Sequence, residues 1–111
     1  PASDLLPATT SNINRIASWI RSQRARGGTN PRGAIANAFG TKNPDTIWIL
    51  TDGRFGGRTV LQPIERLNPD KAVRINTIGF ARSESQIDRS LRAIAENNGG
   101  EYRFYNSLET R

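Results

Sequence analysis

The stretch Thr46-Ile47-Trp48-Ile49-Leu50-Thr51-Asp52-Gly53 decides the fold class. Residues 46–50 form a short run of β-branched, aromatic and aliphatic side chains with no polar alternation. Such a run fits a strand covered on both faces, as in a parallel sheet. Residues 51–53 then turn the chain out of the strand. In open parallel sheets, ligands bind beyond the carboxyl ends of the strands, so Asp52 stands where a functional carboxylate is expected. Gly53 lets the backbone turn sharply and approach a ligand. Asp-Gly after a strand is also ordinary turn chemistry, and spacing alone leaves both readings open.

Downstream, residues 54–58 make a Gly-rich loop, and Val60, Leu61, Ile64 and Leu67 predict a helix over 59–67. Pro63 falls in or near its first turn, where proline is tolerated. A second strand is expected over 73–80, with Val73, Ile75, Thr77 and Gly79 on one face and Ile78 and Phe80 on the other. Ile87, Leu91, Ile94 and Ala95 predict a helix over 84–97, stopped by Asn98-Gly99-Gly100. Residues 101–105 alternate as an edge strand does. Upstream, Asn30 and Pro31 suit the cap and first position of a helix carrying Ala34, Ile35, Ala38 and Phe39. Before it, Ile13, Ile16, Ala17 and Ile20 mark one face of a helix over 11–26, with Ser11 as cap and Gly27-Gly28 as stop. Residues 1–10 read as a coil lead-in, 11–105 as the core and 106–111 as a tail. Strands alternating with helices imply a parallel α/β sheet with flanking helices.

The 111 residues suffice for one domain. With neither cysteine nor histidine, disulfides, thiolate or imidazole zinc sites and histidine-based triads are excluded. Any metal would be held by oxygen, which points to Mg²⁺, Mn²⁺ or Ca²⁺. No apolar run is long enough to span a bilayer, and residues 1–7 lack the pattern of a signal peptide. A net charge of +6 raises the question of a nucleic-acid or anionic-membrane partner. The basic residues are spread along the chain, with their densest group at Arg21, Arg24, Arg26 and Arg32, as solvated helix faces are. The aromatics do not interleave with them as a single-strand platform requires. The excess of arginine over lysine suits a GC-rich prokaryotic genome.

No catalytic set assembles. Glu65, Glu84 and Glu96 fall within or at the starts of helices, and Asp45, Asp70 and Asp88 at element ends or on a helix, so Asp52 lacks a carboxylate partner. The glycines of 53–57 lack the lysine and serine or threonine of a phosphate-binding loop. The turn at Gly27-Gly28-Thr29 offers a hydroxyl and free N–H groups ahead of a helix, although a helix stop followed by a cap has the same composition.

Taken in order, four stretches resemble the von Willebrand factor A-type (vWA) family. They are Gly27-Gly28-Thr29-Asn30-Pro31 with Ala34-Ile35 and Ala38-Phe39, then Ile47-Trp48-Ile49-Leu50-Thr51-Asp52-Gly53. Val73-Arg74-Ile75-Asn76-Thr77-Ile78-Gly79-Phe80 follows, and last Leu91-Arg92-Ala93-Ile94-Ala95-Glu96-Asn97-Asn98-Gly99-Gly100-Glu101-Tyr102. The resemblance spans about residues 9–105. It implies a Rossmann-like parallel sheet, here its three-strand C-terminal half. In that family an Asp-x-Ser-x-Ser motif on the first strand, a threonine from a later loop and an aspartate after the fourth strand hold Mg²⁺ or a similar ion. A carboxylate of the partner protein often completes the coordination.

By this resemblance Thr29 is the threonine ligand and Asp52 the aspartate, commonly acting through water. Gly28, Asn30, Gly53 and Arg54 flank them as partner-facing residues. The chain contains no Asp-x-Ser-x-Ser, because Ser3-Asp4 and Ser83-Glu84-Ser85 do not have the pattern. Two ligands cannot satisfy an ion that takes six oxygens, and the basic loop at 54–58 adds unfavourable charge. The expectation is Mg²⁺ or Mn²⁺ in the intact domain and none held by this chain alone. The expected function is a non-enzymatic protein-interaction module whose ligand engages through a carboxylate. Strand 46–51 would be an exposed apolar edge, prone to self-association. The alternatives are a basic nucleic-acid-binding domain, the less expected partner, and a Mg²⁺-dependent phosphoryl-transfer enzyme using Asp52. The compartment stays open, with a bacterial membrane-anchored or secreted parent as the expectation.

Overall fold

Three parallel strands, each preceded by a helix, carry the architecture in a computed structural model that describes residues 4–26, 30–41, 44–52, 54, 56 and 58–109. In chain order the elements are α1 (Thr10–Ser22), α2 (Pro31–Phe39), β1 (Thr46–Thr51), α3 (Arg58–Leu67) and β2 (Arg74–Ala81). A single 3₁₀ turn (Glu84–Gln86), α4 (Ser90–Asn97) and β3 (Tyr102–Asn106) complete the order. The sheet order is β1-β2-β3, all parallel, with Ile49 opposite Thr77 and Thr77 opposite Tyr102. This is a Rossmann-like α/β fold with β1 and β3 at the edges of the described sheet.

Side chains alternate across a strand, so Ile47, Ile49, Ile75, Thr77, Gly79 and Ala81 share one face. That face joins Ile35 of α2, Val60 and Ile64 of α3, and Leu91 and Ile94 of α4 in one core cluster. Val60, Ile75, Leu91 and Ile94 have no exposed surface, and each such burial stabilises by about 1.5–3 kcal/mol. Two glycines let the layers close. A Cβ on Gly79 would stand 2.9 Å from Ile87 Cδ1, and one on Gly100 would strike the carbonyl oxygen of Ile75.

The opposite face corrects an expectation. β1 is not covered on both sides: Trp48 is 59% exposed and Leu50 69% exposed, and Phe80 and Tyr105 are exposed beside them. An unbroken apolar run is compatible with two covered faces, but the core helices α2, α3 and α4 all serve the same one. The edge position of residues 101–105 is as their alternation implied.

Element boundaries also differ in informative ways. α1 starts at Thr10 rather than 11, because Thr9 Oγ1 and not Ser11 accepts the Asn12 N–H at 3.2 Å. It ends at Ser22 rather than 26. Its apolar stripe stops at Ile20, and Ser22 Oγ and Gln23 Nε2 both donate to the Trp19 carbonyl, at 2.6 and 3.2 Å. Asn30 precedes α2 without forming a side-chain cap, while Pro31 takes the first helical position as expected. α3 begins at Arg58, which carries Pro63 past the first turn and removes an N–H from the helix interior. The single helix expected over 84–97 is a 3₁₀ turn followed by α4. Ile87 adopts an extended conformation between them, and its side chain packs over Gly79. Asp88 Oδ1 then accepts the Ser90 N–H at 2.9 Å.

Buried asparagines lock the amino end of the sheet. Asn68 Nδ2 donates to the Val73 carbonyl at 2.7 Å and to Asn98 Oδ1 at 2.8 Å, and Asn68 Oδ1 accepts the Val73 N–H at 3.0 Å. Asn98 Nδ2 donates to the Ile94 carbonyl at 2.8 Å, and Asn76 Oδ1 accepts the Glu101 N–H at 2.9 Å. Thr77 Oγ1, also buried, donates to the Leu91 carbonyl at 2.8 Å.

Candidate functional site

The carboxyl ends of the three parallel strands lie at Thr51, Ala81 and Asn106. Asp52 follows β1 directly and is exposed, and its Oδ1 faces the Arg54 N–H at 3.4 Å. This small turn holds the carboxylate at the position that open α/β sheets use for ligands. Asn30 and Arg54 are exposed. Thr29, Gly28 and Gly53 lie outside the described residues. Of the expected site, the structure therefore places Asp52, Asn30 and Arg54.

Among the described residues no three Asp, Glu, His or Cys side chains come together in a way that could hold a metal ion. Asp52 is the one expected acidic ligand, and a single carboxylate does not meet the demands of Mg²⁺ or Mn²⁺. The described donors do not by themselves fit such an ion.

Arginines dominate this end instead. Arg32 is in the first turn of α2, Arg54 follows β1, Arg58 opens α3 and Arg82 follows β2, and all four are exposed. Ion pairs among the described residues join Arg92 to Glu84 and Arg103 to Glu101, each at 3.2 Å, so none of these four is paired there. Sequence reasoning singled out Arg54 and set the loop 54–58 beside Asp52, but missed Arg32 and Arg82 as members of the site. Their signal was position, one in the first turn of a helix and the other directly following a strand.

Other features are organised differently. Arg92 lies over the Tyr102 ring, 4.6 Å from its centroid, and pairs with Glu84. Burial pushes the Tyr102 phenol above its ordinary range, and neighbouring Glu84 raises it further. This cluster fastens α4 and the 3₁₀ turn to β3. A polar recess of about 440 Å³ opens at the amino end of the sheet, between Asp45, Thr46, Lys71, Arg74 and Asn98. An apolar recess of about 210 Å³ lies between α2 and the free edge of β1, lined by Pro31, Ala34, Ile35 and Ala38 and by residues 47–50. No described helix is long and apolar enough to cross a membrane.

Over 97 residues, 86% of the chain, it is 34% identical to von Willebrand factor A domain-containing protein 3B of Homo sapiens. Over 100 residues, 88% of the chain, it is 26% identical to von Willebrand factor A domain-containing protein 3A of Homo sapiens. The likeness is to vWA domain-containing proteins. The chain spans only 7% and 8% of the length of these two relatives. No family profile and no solved structure matches it. The sheet and its flanking helices match the C-terminal half of a vWA-type fold. Both relatives are human, and neither supports the prokaryotic origin that the arginine content suggested.

Proposed function

We propose that the chain is part of a non-enzymatic protein-interaction module of vWA type whose carboxyl sheet end faces the partner. The observation that carries this reading is the exposed Asp52 at the end of a parallel strand, in a chain similar to vWA domain-containing proteins. In an intact domain, Asp52 and Thr29 would contribute two of the oxygens around Mg²⁺ or Mn²⁺, with the rest supplied from elsewhere. Gly28, Asn30, Gly53 and Arg54 border that position and would meet the ligand. The free β1 edge, with its unpaired backbone groups and apolar recess, supports a second contact, self-association through residues 46–51.

Calorimetric titration of the chain with Mg²⁺ and with Mn²⁺, beside Asp52→Ala and Thr29→Ala, tests the metal part of the reading. The expected result is no saturable heat from any of the three. Micromolar binding by the parent chain that both substitutions abolish would overturn the incomplete-site account.

A further inference from the structure

We infer that the carboxyl end of the sheet recognises an acidic protein segment through guanidinium groups and without a metal ion. This rests on the reading above that this end faces a partner, and names the chemistry of that partner. Arg32, the neighbouring Arg54 and Arg58, and Arg82 come from three separate stretches of sequence and are gathered by the parallel topology, which brings strand ends and helix starts to the same side. All four are exposed and none is ion-paired among the described residues. Glu84, held by Arg92, and Asp88 and Glu109 also lie toward this end, while the amino end carries Asp45, Asp70 and Glu101 beside Lys71 and Arg74.

Two of the four stand where local stability disfavours them. The positive end of a helix dipole attracts carboxylates and repels cations. Neither α2 nor α3 has an acidic residue in its first turn, and each has an arginine there, Arg32 and Arg58. Departures from local preference of this kind cluster at functional sites. Carboxylates from a partner would relieve the repulsion, and the planar fork of arginine binds a carboxylate through two parallel hydrogen bonds. In this chain, whose described residues do not by themselves fit a cation, these guanidiniums supply the positive charge for the ligand's carboxylate.

Asp52 argues for a polypeptide over a nucleic acid. It stands among the arginines, and a uniform chain of phosphates crossing the patch would meet it. A peptide presents its charges one side chain at a time and can set a neutral residue against it.

The test is fluorescence anisotropy of the 111-residue chain with a labelled peptide of alternating glutamate and serine, in EDTA. A glutamine version of the peptide and an oligothymidine of equal charge serve as comparators. The expected result is saturable binding of the glutamate peptide, weakened about tenfold or more by Arg54→Glu/Arg58→Glu. Lys71→Glu/Arg74→Glu, the same charge change at the opposite end, should weaken it by no more than about twofold. Arg54→Gln/Arg58→Gln should fall between, which guards against misfolding of the reversal variant. Equal losses from the two reversed pairs would overturn the proposal by reducing it to net charge. So would no binding of the glutamate peptide, or tighter binding of oligothymidine lost through the same arginines. Binding that appears only when Mg²⁺ replaces EDTA would overturn the metal-free inference while leaving the interaction-module reading intact. Micromolar metal binding in the calorimetry above, with peptide binding in EDTA unchanged, would overturn the incomplete-site account while leaving the metal-free inference intact.

Discussion

Asn68 is 1% exposed, yet both ends of its amide are used, tying the end of α3 to the start of β2 and to Asn98. Removing it leaves the Val73 N–H and the Asn98 amide oxygen without these partners, in a place water does not easily reach. A buried polar group left unsatisfied costs about 1–3 kcal/mol. Asn68→Ala is therefore expected to lower unfolding stability by about 2–4 kcal/mol in urea titrations, the removed bonds adding to the unpaired groups. A loss under about 0.5 kcal/mol, the range of ordinary surface changes, would show that this network is not structural. At the same scale, Asp52 was legible in the sequence because a strand end followed by glycine marks a ligand position by itself. Arg82 was not, because nothing in its own neighbourhood links it to Asp52. Only the β1–β2 pairing brings them to one end.

α1 is unlike the other helices. It has the apolar stripe of a packed helix, Ile13, Ile16, Ala17 and Ile20, but buries none of its residues. A 13-residue helix without tertiary support is marginal in water, since most helical stability in proteins comes from packing. Its amides are expected to exchange with solvent hydrogen orders of magnitude faster than those of β2, whose protection should approach the global limit. Equal protection in a mass-spectrometric exchange experiment would mean that α1 is packed in solution. The elements were legible where periodicity was strong, and all three strands and the helix over 31–39 were found in the right order. Boundaries failed where a side chain outcompeted the pattern. The amides and hydroxyls at Ser22 and Gln23 closed α1 early, and the demand of Gly79 for Ile87 split the final helix.

At the scale of the chain, the described residues form a sheet covered on one face. The chain's radius of gyration of 14.7 Å exceeds the roughly 13 Å expected of a compact chain of this length, in keeping with a helix, α1, that buries none of its residues. The bare face was not legible because residues 46–50 look the same whether one or two layers cover them. This face and the free β1 edge make association the expected behaviour at high concentration. Leu50→Lys puts a charge on the bare face next to that edge. It is expected to shift sedimentation toward the monomer while changing stability by no more than about 0.5 kcal/mol. Ile49→Lys, on the core face, should instead unfold the chain. Unchanged association in Leu50→Lys would place the contact elsewhere. The two tryptophans of the chain divide between the uncovered surfaces, Trp19 at 52% exposure on α1 and Trp48 at 59% on β1. Each indole is thus an intrinsic optical probe of one bare surface. A change in emission colour on replacing either one tells which surface a binding event has dried.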